Sequence, residues 1–164
     1  MGPVGSQPGT FGPVGAARLR GIVGDVERDR EGLGIIGREE CLRLLSAAPI
    51  GRIAVSRDAL PSILPVNFVL RDEAVLFASG SGSKALAVAH GDVIAFEVDD
   101  FEVGSRTGWS VLVVGRAEEV DRREREWADV GDALQPWVGR WASYLFRLPT
   151  VRMTGRQVGL APEG

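Results

Sequence analysis

Short apolar segments separated by two- or three-residue polar turns fill the middle of the chain and limit the folds that it can adopt. Ile50–Ser56 and Ser62–Leu70 are separated by the turn at residues 57–59, and Ala74–Ala78 follows the turn at residues 71–73. Connections this short join antiparallel strands as hairpins, because a parallel crossover needs a dozen or more residues. The sequence therefore predicts an antiparallel sheet in this region.

Further strands and a few helices complete the predicted architecture. Three later segments also have strand character: Val93–Val98, Trp109–Val120 and Ser143–Thr154. Arg38–Ala48 is predicted to be an amphipathic helix that ends before Pro49. Asp121–Leu134 is predicted to be a second helix, because Asp121 and Glu124 have capping-box spacing. We expect a mainly β protein, a small antiparallel barrel of six strands with helices at its rim.

The chain divides by composition into a tail and one domain. Residues 1–34 are rich in glycine and contain GPVG twice, so they gain little from burial to offset the entropy lost on ordering. We therefore predict a flexible tail over residues 1–34 and a folded domain over residues 35–164. A weak helix at Ala16–Val26, or a tail that wraps a neighbouring subunit, remains an alternative.

Charge and residue counts exclude several classes of protein. The net charge of −3 argues against nucleic acid as a partner, since binding to phosphates needs clustered cations. The single cysteine, Cys41, and the single histidine, His90, are too few for a zinc site, so no metal is expected. No apolar run approaches a membrane span and no secretory signal is evident, so a cytoplasmic location is expected.

The stretch SGSGSK at residues 79–84 is a candidate phosphate site. It follows an apolar strand, precedes the short helical segment Lys84–His90 and contains the only lysine of the chain. Glycines let the backbone approach an anion, and a helix start offers unpaired N–H groups. Lys84–His90 is too short for a dinucleotide-binding crossover. The alternative is a plain loop in which Ser83 caps the helix.

A single amide interrupts an otherwise apolar strand. In SILPVNFVL the side chains alternate, so that Asn67 faces away from Val66 and Phe68. An amide in such a position must find a hydrogen-bond partner to offset its desolvation. That partner is either a nearby loop or a polar edge of a ligand.

These segments together resemble the pyridoxamine 5′-phosphate oxidase-like family of flavin-binding split β-barrels. The resemblance covers about Ile35 to Thr154 and is carried by REECLRLLSAAPIGRIAVS, LPVNFVL, FASGSGSKALAVA, AFEVDDF and RTGWSVLVVGRAEEV. It implies a six-stranded antiparallel split β-barrel, a homodimer with the cofactor at the subunit interface, and a flavin-dependent oxidoreductase acting on a small molecule.

The resemblance also implies which residues bind FMN. Val66, Asn67 and Phe68 would face the isoalloxazine ring, largely through backbone groups. Ser79, Gly82, Ser83 and Lys84 would hold the ribityl phosphate, and Trp109 and Ser110 would lie near the ring, from the partner subunit. No catalytic side chain is predicted.

The C-terminal stretch departs from the classical oxidase. PTVRMTGRQVGLAPEG lacks the Arg- and His-rich signature that holds the substrate phosphate, so pyridoxamine phosphate is not expected as the substrate. Related subgroups bind the deazaflavin F420 or haem. The alternatives are therefore an F420-dependent reductase on the same barrel, or a flavin or haem carrier or sensor without catalytic activity.

Overall fold

Strands dominate the computed structural model, which describes residues 27–57, 60–79, 91–124, 129–130, 134 and 144–159. Within those residues, ten strands and one helix follow one another along the chain. They are β1 (Gly34–Ile36), α1 (Arg38–Ala47), β2 (Gly51–Arg57), β3 (Leu60–Val66), β4 (Phe68–Arg71), β5 (Ala74–Ser79), β6 (Val93–Glu102), β7 (Thr107–Arg116), β8 (Glu118–Glu119), β9 (Tyr144–Pro149) and β10 (Met153–Val158). The predicted mainly β architecture is confirmed.

The strands form two antiparallel sheets. The larger has the order β1-β10-β7-β6-β2-β3, and the smaller has the order β4-β5-β9-β8. Both predicted hairpins are present, as the β2–β3 and β4–β5 pairs. In the second hairpin Asp72 and Glu73 form a two-residue turn with φ of 48° and 56°, the left-handed conformation that suits tight hairpins.

Three of the six predicted strands are each two strands in the structure. The chain leaves the larger sheet and enters the smaller one at Asn67 and at Ala117. It returns to the larger sheet between the end of β5 and the start of β6, and again at residues 150–152. A fourth additional strand, β1, was not predicted. The side chains keep alternating across Asn67, with Val66 and Phe68 both buried, so the period of the sequence does not reveal the change of sheet.

One core joins the inner faces of both sheets and helix α1. Phe68 of the smaller sheet meets Phe96 of the larger sheet edge to face, with ring centroids 4.8 Å apart. The predicted helical face is confirmed, since α1 buries Cys41, Leu44 and Leu45. Burial raises the pKa of the Cys41 thiol, with the nearby Glu40 carboxylate adding to the effect, so this cysteine is inert in the fold.

Arg38, the first residue of α1, holds in place the crossing from β9 to β10 at residues 150–152. Its guanidinium donates to the Thr150 carbonyl at 2.8 Å and to the Glu73 carboxylate at 2.6 Å. The Thr150 hydroxyl in turn donates to the Glu73 carbonyl at 2.7 Å. The start of the helix, the β4–β5 turn and the β9–β10 crossing are therefore held together by one network.

The second predicted helix is only partly within the described residues. The capping contact is present, because the Asp121 N–H donates to the Glu124 carboxylate at 2.9 Å. Residues 121–124 nevertheless form a turn and a bend rather than helix, and helical conformation is described only at residues 129–130. Val130 and Leu134 are buried against the outer face of the smaller sheet.

The residues before β1 contact the larger sheet. Arg28 forms a bridge with Gly34, and the Asp29 carboxylate accepts a hydrogen bond from Arg156 Nε at 2.8 Å. The pKa of the Asp29 carboxyl is lowered overall. Desolvation raises this pKa, but hydrogen bonds from the Leu33 and Glu31 N–H groups and from Arg156 lower it by more. Residues 1–26 lie outside the described residues, and the division into a tail and a domain stays a prediction.

Gly155 provides a test of the packing beneath α1. A Cβ atom at this position of β10 would lie 2.7 Å from Ile36 Cβ and would also collide with Cys41 Sγ. We expect Gly155→Ala to lower the free energy of unfolding by about 1–3 kcal/mol, the usual range for overpacking a core, as measured by urea denaturation. Gly37→Ala is the control, since a Cβ there meets nothing within 4 Å; equal losses in both variants would contradict the prediction.

The Asp29 contact predicts a pH-dependent stability. A carboxyl group whose pKa is lowered by folding stabilises the fold above its unfolded pKa, about 3.9, and this stabilisation disappears as the pH falls through the folded pKa. We therefore expect Asp29→Asn to lower the melting temperature at pH 7, and the difference from the parent protein to begin to shrink at about pH 4 and to disappear only below the folded pKa of Asp29. Asp72→Asn is the control, because the Asp72 side chain is 91% exposed. A difference that does not change with pH would exclude this role of Asp29.

Candidate functional site

The change of sheet at Asn67 forms a corner at the surface of the barrel. Val66 ends β3 opposite Gly51, and Phe68 begins β4 opposite Phe77, so residue 67 lies outside both ladders. The side chains of Val66 and Phe68 are each only 7% exposed. Both residues are buried as a whole, so that contact of their backbone groups with a ring stays a prediction. Asn67 itself is half-buried.

Packing beneath the corner keeps it in place. A Cβ on Gly51 would collide with the ring of Phe96, and that ring also contacts Phe68. The missing side chain therefore lets an aromatic ring fill the space directly behind Val66 and Asn67. The backbone of the corner is positioned by the core, not by a loop.

The structure brings Ser79 close to this corner. Because Phe68 pairs with Phe77 in an antiparallel ladder, the chain that runs back from Phe68 to Asn67 passes beside Ala78 and Ser79. Ser79 ends β5, is 5% exposed and pairs with Tyr144 of β9. Gly82, Ser83 and Lys84 lie outside the described residues, so the phosphate cradle at residues 80–84 stays a prediction.

Trp109 and Ser110 face opposite sides of β7. Trp109 is 2% exposed and belongs to the core, whereas Ser110 is half-buried on the outer face of the larger sheet. Trp109 Nε1 and the side-chain nitrogen of its cross-strand neighbour Gln157 are both buried without a hydrogen-bond partner. Trp109 therefore fixes the position of β7 from inside, and Ser110 is the member of the pair on the outer face.

Charged side chains flank Ser110 on that outer face. In the sheet register Ser110 lies opposite Arg156 on one side and opposite Asp99 on the other. Asp99 forms an ion pair with Arg52, and Arg156 forms one with Asp29. Sequence analysis did not identify this row, because its members come from five separate segments. Only the register of the strands places them together.

Asn67, which follows the end of β3, and Ser110 of β7 are well separated within one chain. β3, β2, β6 and β7 are successive strands of the larger sheet, and three strand spacings amount to about 14 Å. One chain therefore presents Asn67 with Ser79 at one place and Ser110 with Arg156 at another.

Two further observations concern other kinds of site. Within the residues that the structure describes, no three His, Cys, Asp or Glu side chains cluster as metal ligands. The same part of the chain contains no helix that is long and apolar enough to cross a membrane.

Comparisons with known proteins agree with the fold and the extent of the resemblance. An uncharacterized protein of Mycobacterium tuberculosis is 38% identical over 108 residues, which cover 63% of this chain and 70% of that protein. The FAD binding protein from Mycobacterium smegmatis superposes with a TM-score of 0.63 at 35% identity, covering 75% of this chain and 96% of that one. A conserved protein of unknown function from Corynebacterium diphtheriae superposes with a TM-score of 0.59 at 30% identity, covering 76% and 96%.

These structures confirm the predicted split-barrel class of fold. The family model described as pyridoxamine 5′-phosphate oxidase matches residues 37–157, well over half of the sequence. The chain belongs to the pyridoxamine 5′-phosphate oxidase family.

Proposed function

We propose that this protein binds a flavin nucleotide and acts as a flavin-dependent oxidoreductase on a small-molecule substrate. The observation that carries the proposal is the similarity to the FAD binding protein from Mycobacterium smegmatis, 96% of whose chain is covered at 35% identity. The corner at Asn67 gives the proposal a location. There the half-buried Asn67 lies between two strands whose neighbouring residues, Val66 and Phe68, pack in the core.

The residues at the corner fit a flavin ring. An amide side chain both donates and accepts hydrogen bonds, and the polar edge of an isoalloxazine ring offers both kinds of partner. In the proposal, the backbone of Val66, Asn67 and Phe68 and the Asn67 amide face the ring. Ser79 and the loop with Gly82, Ser83 and Lys84 hold the phosphate.

We propose FMN as the cofactor, because its single phosphate matches the single short loop of hydroxyls, glycines and one ammonium group at residues 79–84. FAD is the second candidate and is favoured by the name of the 35% identical structure. F420 and haem remain alternatives from the family resemblance. A bound flavin supplies hydride and single-electron transfer, and the chain positions it, excludes water and tunes its electronics.

We further propose that the protein is a homodimer with one cofactor at each of two interfacial sites. The separation of about 14 Å between Asn67 and Ser110 on one chain supports this arrangement. A second chain can bring its own Ser110, held in place by Trp109 behind it, to the ring bound at Asn67. Each site would then contain residues of both chains.

The absorbance of the purified protein tests the cofactor. Bound flavin absorbs at about 450 nm, F420 absorbs at about 420 nm, and haem shows a Soret band, since each cofactor has its own electronic structure. Mass spectrometry of the released cofactor then separates FMN from FAD. A protein that neither retains a flavin nor binds added FMN or FAD would exclude the proposal.

A second measurement distinguishes an enzyme from a carrier. The flavin-loaded protein is mixed with reduced nicotinamide cofactors under air and without oxygen, and bleaching of the flavin is followed. Steady turnover above that of free flavin supports an oxidoreductase. Bound flavin that is never reduced by any donor would favour a carrier or sensor.

Lys84→Ala should weaken binding of FMN by about ten- to a hundredfold, since a hydrogen bond to a charged group contributes about 1.5–3 kcal/mol. Fluorescence titration of the flavin-free protein measures the effect. Lys84→Arg, which keeps the charge, should retain most of the affinity. Riboflavin, which has no phosphate, is the matched ligand control and should bind the parent and Lys84→Ala equally well.

Asn67→Ala tests the contact with the flavin ring, as Lys84→Ala tests the contact with the phosphate. If Asn67 binds the ring and not the phosphate, the substitution weakens riboflavin and FMN by the same factor. Val151→Ala, on the 82% exposed side chain of the β9–β10 crossing, should leave both affinities unchanged. If Lys84→Ala bound FMN as tightly as the parent does, Lys84 would be excluded as a residue that holds the phosphate.

A further inference from the structure

Three polar side chains form one row on the inner face of the larger sheet. Gln157 of β10 lies opposite Trp109 of β7, which in turn lies opposite Asp100 of β6. Residues that oppose each other in antiparallel strands project from the same face of the sheet, with Cβ atoms about 4.5–5.5 Å apart. Trp109 and Gln157 are 2% and 4% exposed, and Asp100 is half-buried. We call these three residues the inner polar row.

The two nitrogen-bearing side chains of the row are buried donors that lack an acceptor. In the described part of the chain, neither Trp109 Nε1 nor Gln157 Nε2 has a hydrogen-bond partner. Both atoms can only donate. A buried N–H group loses its hydration, and nearly all such groups in folded proteins are paired with protein or with ordered water. Two of them on adjacent strands therefore indicate a bound molecule that carries an acceptor.

The neighbouring side chains on the same face do not supply this acceptor. On one side of the row the next pair is Val98 and Val111, which are apolar and buried. On the other side the next pair is Glu102 and Thr107. These two are engaged in the β6–β7 turn, where the Glu102 carboxylate accepts from the Gly104 N–H and the Thr107 hydroxyl bonds to Ser105.

Asp100 adds a further requirement for the bound molecule. An ionised carboxylate accepts hydrogen bonds and does not donate them, so a molecule that satisfies the whole row must accept from two N–H groups and donate to one carboxylate. A cation cannot accept from the two donors, and an anion is repelled by the carboxylate. An apolar molecule would leave all three groups unpaired. Water meets the requirement, since buried waters typically make about three hydrogen bonds to polar groups.

We propose that the inner polar row binds an ordered water molecule. The water accepts hydrogen bonds from Trp109 Nε1 and Gln157 Nε2 and donates one to the Asp100 carboxylate. Because Asp100 is only half-buried, water can enter the site from its side of the row. The inference goes beyond the proposed function, since no flavin takes part in it. The bound water would link β10, β7 and β6 from inside, directly behind the strand position that precedes Ser110.

NMR spectroscopy of the full-length protein tests the proposal without any substitution. Once the Trp109 indole proton is assigned by triple-resonance experiments, it should show cross-peaks to water in both NOESY and ROESY spectra. Opposite signs in the two spectra identify a bound water and exclude hydrogen exchange as the origin. A crystal structure of the parent should show the water at a hydrogen-bond distance, about 2.7–3.2 Å, from both nitrogen atoms.

Two variants test the composition of the site. Gln157→Met removes one donor and keeps a side chain of similar length, and Asp100→Leu removes the acceptor. Each should abolish the water cross-peaks of the Trp109 indole proton. Thr154→Val is the matched control, because Thr154 also lies on β10 but is exposed; this variant should keep the cross-peaks.

Several outcomes would overturn the proposal. One is a parent whose Trp109 indole proton shows no cross-peak to water. Another is a crystal structure in which Trp109 Nε1 donates directly to the side-chain oxygen of Gln157. Cross-peaks that persist in both Gln157→Met and Asp100→Leu would show that the water is not bound by the row. Circular dichroism shows whether each variant is folded, and the spectra of the parent alone decide if one is not.

Discussion

The three short crossings between the sheets, at Asn67, at Ala117 and at residues 150–152, are the constraint on which the rest of the structure depends. Each crossing transfers the chain from one hydrogen-bonded ladder to the other, so that two sheets close around a single core. At the first crossing the rings of Phe68 and Phe96 meet between the sheets. At the third, Arg38 holds the Thr150 carbonyl and the turn residue Glu73 together. The candidate site lies at the first crossing, where backbone leaves one ladder and has not yet entered the next.

Local features of the sequence predicted the parts of the fold that are locally determined. The hairpins followed from polar turns of two or three residues, and helix α1 followed from the spacing of Cys41, Leu44 and Leu45. The crossings were missed because the alternation of side chains continues through them; at Asn67 the residues on either side remain buried. β1 was missed because three residues following a glycine-rich stretch are too few to show a period.

The candidate site likewise has parts that local sequence predicts and parts that it does not. The alternation in SILPVNFVL correctly separated Asn67 from its two buried neighbours, and the family resemblance pointed to the corner. The row of Arg156, Ser110 and Asp99 could not be predicted, because it depends on the register of three strands that are distant in the sequence. Likewise, Trp109 and Ser110 are adjacent in the sequence, and only the register and the burial assign one to the core and the other to the outer face.

The prolines of β3 limit how the folded chain can associate through the edge of its larger sheet. β3 leaves one edge of the larger sheet unpaired, and an unpaired edge is the usual starting point for intermolecular cross-β growth. Pro61 and Pro65 deprive the edge of donors at two of its seven positions, so colliding chains cannot extend one another's ladder. The residues of this edge therefore suppress misassembly through the backbone after the chain has folded.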